Sequence, residues 1–283
     1  MLPEALLDHT VLTVAAGAVL LGLASGALGT FAVLRRQSLL GDVMSHAALP
    51  GVVGGYLVAG TRSLPAMLAG ALVTGLLAAA LAWLLSSRLR VKSEAALGSA
   101  LGLGFALGVV LLSYVQRQPG AGSAGLETFL FGQAAATLRS DVWVLLGVAV
   151  VALGAVTLVF GELELATFDP VYARARGHRV DLIDAGLTGL LAVAVVIGLQ
   201  LVGVVLMSAL VVAPAVAARQ LTRGLRAMFW TAGAVGALSA LAGALVSAAT
   251  PGLATGPVVV LVVSVVAALA LLLGPERGRS AEA

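Results

Sequence analysis

The sequence predicts an all-α, polytopic membrane fold of eight or nine transmembrane helices, some of them kinked, with one short cytoplasmic helix between spans. Three observations carry that prediction. Of 283 residues, 60% are hydrophobic and 10% charged, whereas a soluble domain carries about a quarter charged residues; the mean hydropathy is +1.11. The apolar residues fall into windows of about 20, the length that takes a helix across a roughly 30 Å hydrocarbon core. Lys and Arg collect in short clusters between those windows, as they do in cytoplasmic loops.

Each span follows in order. Val11 to Leu34 comes after a stretch holding Glu4, Asp8 and His9 but no Lys or Arg. That stretch lacks the basic region of a signal peptide, so the helix is expected to remain uncleaved. Leu39 to Ala59 is the second window and contains Asp42, His46 and Pro50. Leu64 to Ser86, Ala95 to Val115 and Val142 to Phe160 follow, with Glu94 as an N-terminal helix charge on the fourth. Leu182 to Ala218 is too long for one helix at about 1.5 Å per residue. It divides near Gln200 to Gly203, into two spans or an interrupted pair, which leaves the count at eight or nine. Pro214 frees the Leu210 carbonyl and predicts a kink in the second part. Met228 to Ala248 and Ala254 to Leu273 complete the set, and residues 1–283 read as a single transmembrane domain.

The basic clusters are Arg35 and Arg36; Arg88, Arg90 and Lys92; Arg174, Arg176 and Arg179; Arg219, Arg223 and Arg226; and Arg277 and Arg279. Nine spans put all of them on one side, which places the N-terminus outside and the C-terminus in the cytoplasm. The net charge of +3 is explained by orientation, so no nucleic-acid partner is expected. With no cysteine there is no thiolate metal site and no cysteine nucleophile. Lys92 is the one lysine and no phosphate-loop motif surrounds it, so the chain is not expected to hydrolyse ATP by that route. A zinc-protease motif is also missing, and a transport subunit without enzymatic activity is expected.

Asp42 and His46 are the most informative residues. Charge at bilayer depth costs about 2.5–3.5 kcal/mol on insertion scales, so such residues mark a functional path. Four positions apart, they share one face of a helix and have the geometry to hold one divalent cation. Pro50 has no N–H, so the His46 carbonyl loses its helical partner and becomes a third candidate ligand, while the ring predicts a kink. Gly51, Gly54 and Gly55 permit close approach of a neighbouring helix. One carboxylate oxygen and one imidazole nitrogen suit Mn²⁺, Fe²⁺ or Zn²⁺ better than Ca²⁺ or Mg²⁺. The remaining ligands would come from carbonyls, water, Met44, Ser45 or a second subunit. Two other readings use the same pair: a proton relay, and a helix start at Asp42 to which His46 simply hydrogen-bonds.

A second site lies at residues 162–181, read as a cytoplasmic loop. Phe168-Asp169-Pro170 signals a helix start, with Asp169 as cap and Pro170 in the first turn, and Gly177 as the stop. The short basic helix between, Val171 to Arg176, would rest on anionic lipid or dock a protein, and His178 is expected to be solvated. Leu126 to Gly132, in the long outward loop, reads as an interfacial element.

These residues together resemble the membrane permeases of bacterial manganese, zinc and iron ABC importers. Ser38-Leu39, Gly41-Asp42, Ser45-His46-Ala47 and Leu49-Pro50-Gly51 are similar to the family's second-helix signature. Leu130-Phe131-Gly132 resembles its outward loop motif, and Phe168-Asp169-Pro170 with Ala173 and Gly177 its ATPase-coupling segment. Gly198-Leu199-Gln200 with Gly203, Ser208-Ala209-Leu210 and Pro214-Ala215 resemble its late-helix signature. The resemblance implies a bacterial inner-membrane homodimer of permease chains bound to two cytoplasmic ABC ATPase subunits that hydrolyse ATP, and fed by an extracytoplasmic metal-binding protein. It implies Asp42 and His46 as transient ligands of the transported ion, with no permanently bound cofactor. The proline form of the second-helix motif looks more like the manganese and iron members than the zinc members. Manganese is therefore the expected cargo, with zinc or iron next. A proton-coupled secondary transporter is the rival, and it would show two related halves, which the sequence lacks.

Overall fold

The computed structural model describes residues 9–61, 63–117, 132, 138–250 and 253–274. Among them are eleven α-helices and no strand: α1 His9–Leu34, α2 Leu40–Ala59, α3 Leu64–Ser87, α4 Ser93–Gln116, α5 Arg139–Leu158, α6 Phe160–Phe168, α7 Pro170–Ala175, α8 Val180–Val202, α9 Val204–Leu221, α10 Leu225–Ala249 and α11 Thr255–Leu273. Seven are long and apolar enough to cross a membrane: α1, α3, α4, α5, α8, α10 and α11. The helix α2 has 20 residues but is not among the seven, because Asp42, His46, Pro50 and its glycines dilute its hydropathy. Helix α9, with 18 residues, is also outside the seven.

The helices gather into two compact units. One takes its described residues from 9–35, 138–180 and 209–274, the other from 36–117, 132 and 181–208.

In the first unit α1 is the central helix, packed on α10 and α5, with α11 against α10. The close face is made of small residues. Gly22 meets the Gly236 backbone and Gly26 the Ala232 carbonyl, so a Cβ at either glycine would collide with main chain. With lipid as solvent there is little hydrophobic drive between helices, and this close backbone approach supplies the packing instead. Ala215, Ala218, Met228 and Ala232 form one buried cluster; Ala217, Ala267 and Ala270 form another. The start of α5 is capped by Asp141, whose Oδ2 accepts from the Leu138 N–H at 2.9 Å.

In the second unit α2 packs on α3 and α4, which also touch each other. Gly51 and Gly70 bring α2 and α3 into backbone contact, and Gly55 sits on Ala66. On the α4 side, Gly104 faces Ala47 and Gly108 faces Leu49. The long apolar stretch after Val180 is broken at Gly203, with φ of +91°, a conformation that glycine adopts without steric penalty. Its N–H donates to the Leu199 carbonyl at 3.0 Å, and the next helix begins with Met207 N–H donating to the Gly203 carbonyl at 3.2 Å.

Candidate functional site

The α2 helix is entered through Arg36, a non-glycine residue in the left-handed region at φ +56°. Leu40 N–H then donates to the Gln37 carbonyl and Val43 N–H to the Leu39 carbonyl, both at 2.9 Å. The helix starts two residues before Asp42, which falls in the first turn and not at the cap; there its charge is favoured by the helix dipole. Asp42 and His46 are half-buried and one turn apart, while Val43, Met44, Ser45, Ala47, Ala48 and Leu49 around them are buried.

Among the described residues no hydrogen bond or ion pair joins Asp42 to His46, so the reading in which each satisfies the other is not what the fold builds. The His46 ring stands edge-on to Phe105 of α4, with centroids 5.2 Å apart and planes at 86°. His46 Nδ1 and Ser45 Oγ are both buried and without a hydrogen-bond partner. Buried polar atoms are almost always satisfied, and those that are not call for an explanation such as an ion. Among the described residues no group of three or more His, Asp or Glu side chains converges. Any ion here would therefore complete its shell with carbonyls, water, Ser45 or another chain. Pro50 lies inside α2 and, having no N–H, leaves the His46 carbonyl without its usual donor.

Phe105 and the burial of Ser45 are the features that sequence reasoning missed. Gly104 and Gly108, four residues apart on α4, were the visible sign of a close helix contact at this level.

The second site is built in the first unit. Residues predicted as part of a loop from 162 are helical through Phe168, because Phe160, Leu163 and Ala166 bury one side of α6. Asp169 caps α7 as expected: its Oδ1 accepts from the Tyr172 N–H at 2.9 Å, with Pro170 in the first turn. The helix ends at Ala175. Gly177, at φ +86°, donates its N–H to the Arg174 carbonyl at 2.9 Å, and His178 N–H donates to the Ala173 carbonyl at 3.0 Å. Ala173 is fully buried, whereas Phe168, Val171 and Tyr172 are 63%, 74% and 50% exposed. Arg176 lies 5.9 Å from the Tyr172 ring centroid. His178 is not simply solvated, since its Nδ1 is 3.9 Å from Glu162 Oε2.

This segment is tied back to α1. Arg35 Nε donates to Thr167 Oγ1 at 3.1 Å, and that hydroxyl donates to the Leu163 carbonyl at 2.6 Å. Pro214 lies inside α9 beside Gly26 of α1. Of the Leu126–Gly132 segment, residues 126–131 lie outside the described residues; Gly132 has φ +72° and sits against the backbone of Val202 and Gly203.

Comparison with known proteins agrees over nearly the full length. The profile of the ABC 3 transport family matches residues 8–274. The chain is 45% identical over 271 residues to the zinc transport system membrane protein TroC of Treponema pallidum, covering 96% of this chain and 91% of that one. It is 42% identical over 270 residues to the manganese transport system membrane protein MntC of Bacillus subtilis, covering 95% of this chain and 62% of that longer one. Among solved structures, PsaBC from Streptococcus pneumoniae in complex with Fab aligns at a TM-score of 0.83 with 29% identity, over 97% of this chain and 95% of its own.

Proposed function

The chain belongs to the ABC 3 transport family, and on that premise we propose that it is the permease subunit of an ATP-binding-cassette importer carrying a divalent transition metal ion, manganese first, into the cytoplasm. The observation that carries the reading is α2: a buried helix presenting Asp42, an orphaned His46 Nδ1 and an orphaned Ser45 Oγ within one turn. A mixed carboxylate and imidazole set without thiolate favours Mn²⁺, Fe²⁺ or Zn²⁺ over the hard cations. Relatives named for zinc and for manganese support zinc as the alternative cargo, and the ligand chemistry alone adds iron.

Function follows from the weakness of the site as much as from its chemistry. A path must bind its ion well enough to admit it and loosely enough to release it. Asp42 supplies the countercharge that makes a cation tolerable at this depth. His46 supplies a nitrogen ligand set against the Phe105 ring, and among the described residues no group of three or more His, Asp or Glu side chains gathers to trap the ion. The freed His46 carbonyl above Pro50 adds an oxygen. Kinks at Pro50 and Pro214 would let α2 and α9 bend as access alternates between the two faces.

The power stroke comes from outside the chain. Phe168, Asp169, Pro170, Ala173 and Gly177 form the coupling element, and its exposed apolar residues fit docking on a cytoplasmic ATPase dimer. In this reading α2 and α9 cross as well as the seven apolar helices, and the clustering of Lys and Arg supports a bacterial inner-membrane protein with its basic clusters and C-terminus in the cytoplasm and its N-terminus outside. A second permease chain would pair with this one, and an extracytoplasmic binding protein would deliver the metal.

The test is total cellular manganese, zinc and iron in a strain lacking its own uptake systems, given this chain with its ATPase and binding protein. The expected result is a rise in manganese that disappears when the ATPase is catalytically dead. A rise that persists without ATP hydrolysis would establish a secondary transporter, and a rise in zinc alone would reassign the cargo.

A further inference from the structure

On the first unit, the end of α5 and the start of α10 border an open groove of about 300 Å³ lined by Thr157, Phe160, Arg226 and Trp230. Its back wall is fixed. Phe160 is buried and packs on Phe31 and Phe229, with ring centroids 6.2 and 5.8 Å away, and Phe229 carries Trp230 at 5.2 Å. The Arg226 guanidinium lies over the Phe160 ring, 5.2 Å from its centroid. A guanidinium over an aromatic face keeps its planar fork of N–H donors for a partner such as phosphate, which it contacts bidentately.

Among the described residues no carboxylate pairs with Arg226 and no hydrogen bond uses its N–H groups. Arg226 and Trp230 are one turn apart on α10 and share a face. Arg226 also belongs to the cluster Arg219, Arg223 and Arg226, at the boundary where tryptophan favours the headgroup level and the leaflet surface is anionic. Thr157 donates its proton to the Gly154 carbonyl at 2.9 Å. Its oxygen is therefore an acceptor, matched to a hydroxyl and not to a phosphate oxygen.

We propose that this groove binds an anionic phospholipid of the cytoplasmic leaflet whose headgroup carries a hydroxyl, as a glycerol headgroup does. Arg226 takes the phosphate, Thr157 accepts from the headgroup hydroxyl, and Trp230 packs against the glycerol backbone and upper acyl chain. The site rests on the membrane topology proposed above, with this loop cytoplasmic, but not on the identity of the transported ion.

The experiment places the photo-cross-linker p-benzoylphenylalanine at position 230 (Trp230→p-benzoylphenylalanine) in the permease–ATPase complex, in nanodiscs of equal phosphatidylglycerol and phosphatidylethanolamine, and identifies adducts by mass spectrometry. Phosphatidylglycerol adducts should dominate, and Arg226→Gln should lower their yield about fivefold, the worth of one arginine near an anionic surface. Thr157→Val, a change at an exposed position, should reduce the preference for phosphatidylglycerol while leaving the complex assembled. Equal labelling of both lipids, an unchanged yield in Arg226→Gln, or adducts to the ATPase or a second permease chain would overturn the proposal. Inorganic phosphate should leave the adducts unchanged; displacement by phosphate alone would show a free-anion site instead. Metal accumulation in cells is a separate readout, so a lost lipid site with normal uptake would leave the transport reading standing.

Discussion

The Asp42–His46 turn of α2 and the Phe168–Gly177 segment are opposite in what they leave unsatisfied. Around His46 the apolar side chains are all covered, from Val43 to Leu49, while two polar atoms, His46 Nδ1 and Ser45 Oγ, have no partner. Around α7 the polar groups are matched: Asp169 caps the helix, Gly177 and His178 close its end, and Thr167 is bonded on both sides. What remains open there is apolar, at Phe168, Val171 and Tyr172. A buried orphan nitrogen calls for an ion or a hydrogen-bonding partner, and exposed apolar residues side by side mark a surface for a protein or a membrane. On the proposed function, the two regions would divide the work of a driven transporter, one meeting the cargo and the other the motor.

That contrast can be broken by substitutions that act on one region alone. The largest effect is expected from Asp42→Asn/His46→Ala. Loss of even an outer partner of a bound metal weakens binding about 10- to 100-fold, so uptake should fall by at least that much. Because the pair forms no internal bond, the melting temperature of the assembled complex should stay near wild type. A large fall in melting temperature would mean that the pair is structural. Phe168→Asp/Val171→Asp comes next and should separate the complex in pull-down assays with the ATPase. A hot-spot residue at the centre of an interface is worth about 2 kcal/mol or more, while folding at these exposed positions is hardly touched.

Smaller effects sharpen the same contrast. Gly177→Ala forces a side chain into the left-handed region and should destabilise the turn by about 1 kcal/mol, read as slower ATP-driven uptake with unchanged metal selectivity. Thr167→Val removes the acceptor for Arg35 at a net loss of about 0.5–1.5 kcal/mol. Its readout is the ratio of metal moved to ATP hydrolysed, which should drop modestly while the complex remains assembled.

The helix ends were largely legible, because they are set by local chemistry. The division of the stretch after Leu182 fell at Gly203, where only a left-handed residue breaks the ladder, and Asp169, Pro170 and Gly177 carry their cap and stop signals in the chain itself. Helix α6 was not legible as a helix, since Glu162 and Glu164 interrupt the apolar window; its signal was Phe160, Leu163 and Ala166 on one side. The pairing of Asp42 with His46 was suggested by spacing and is not formed, because spacing sets which face a residue occupies but not where its side chain turns. That His46 meets Phe105 depends on the register of α2 against α4, which exists only once Gly104 and Gly108 have brought the two helices together.

The central claim is that His46 touches the transported ion. Pulsed electron paramagnetic resonance on the purified complex loaded with Mn²⁺ as probe measures this through the nitrogen nuclei near the metal. An imidazole ¹⁴N coupling is expected in the wild type and should disappear in His46→Gln. A nitrogen coupling that persists in His46→Gln, or bound Mn²⁺ with no nitrogen coupling in the wild type, would contradict it.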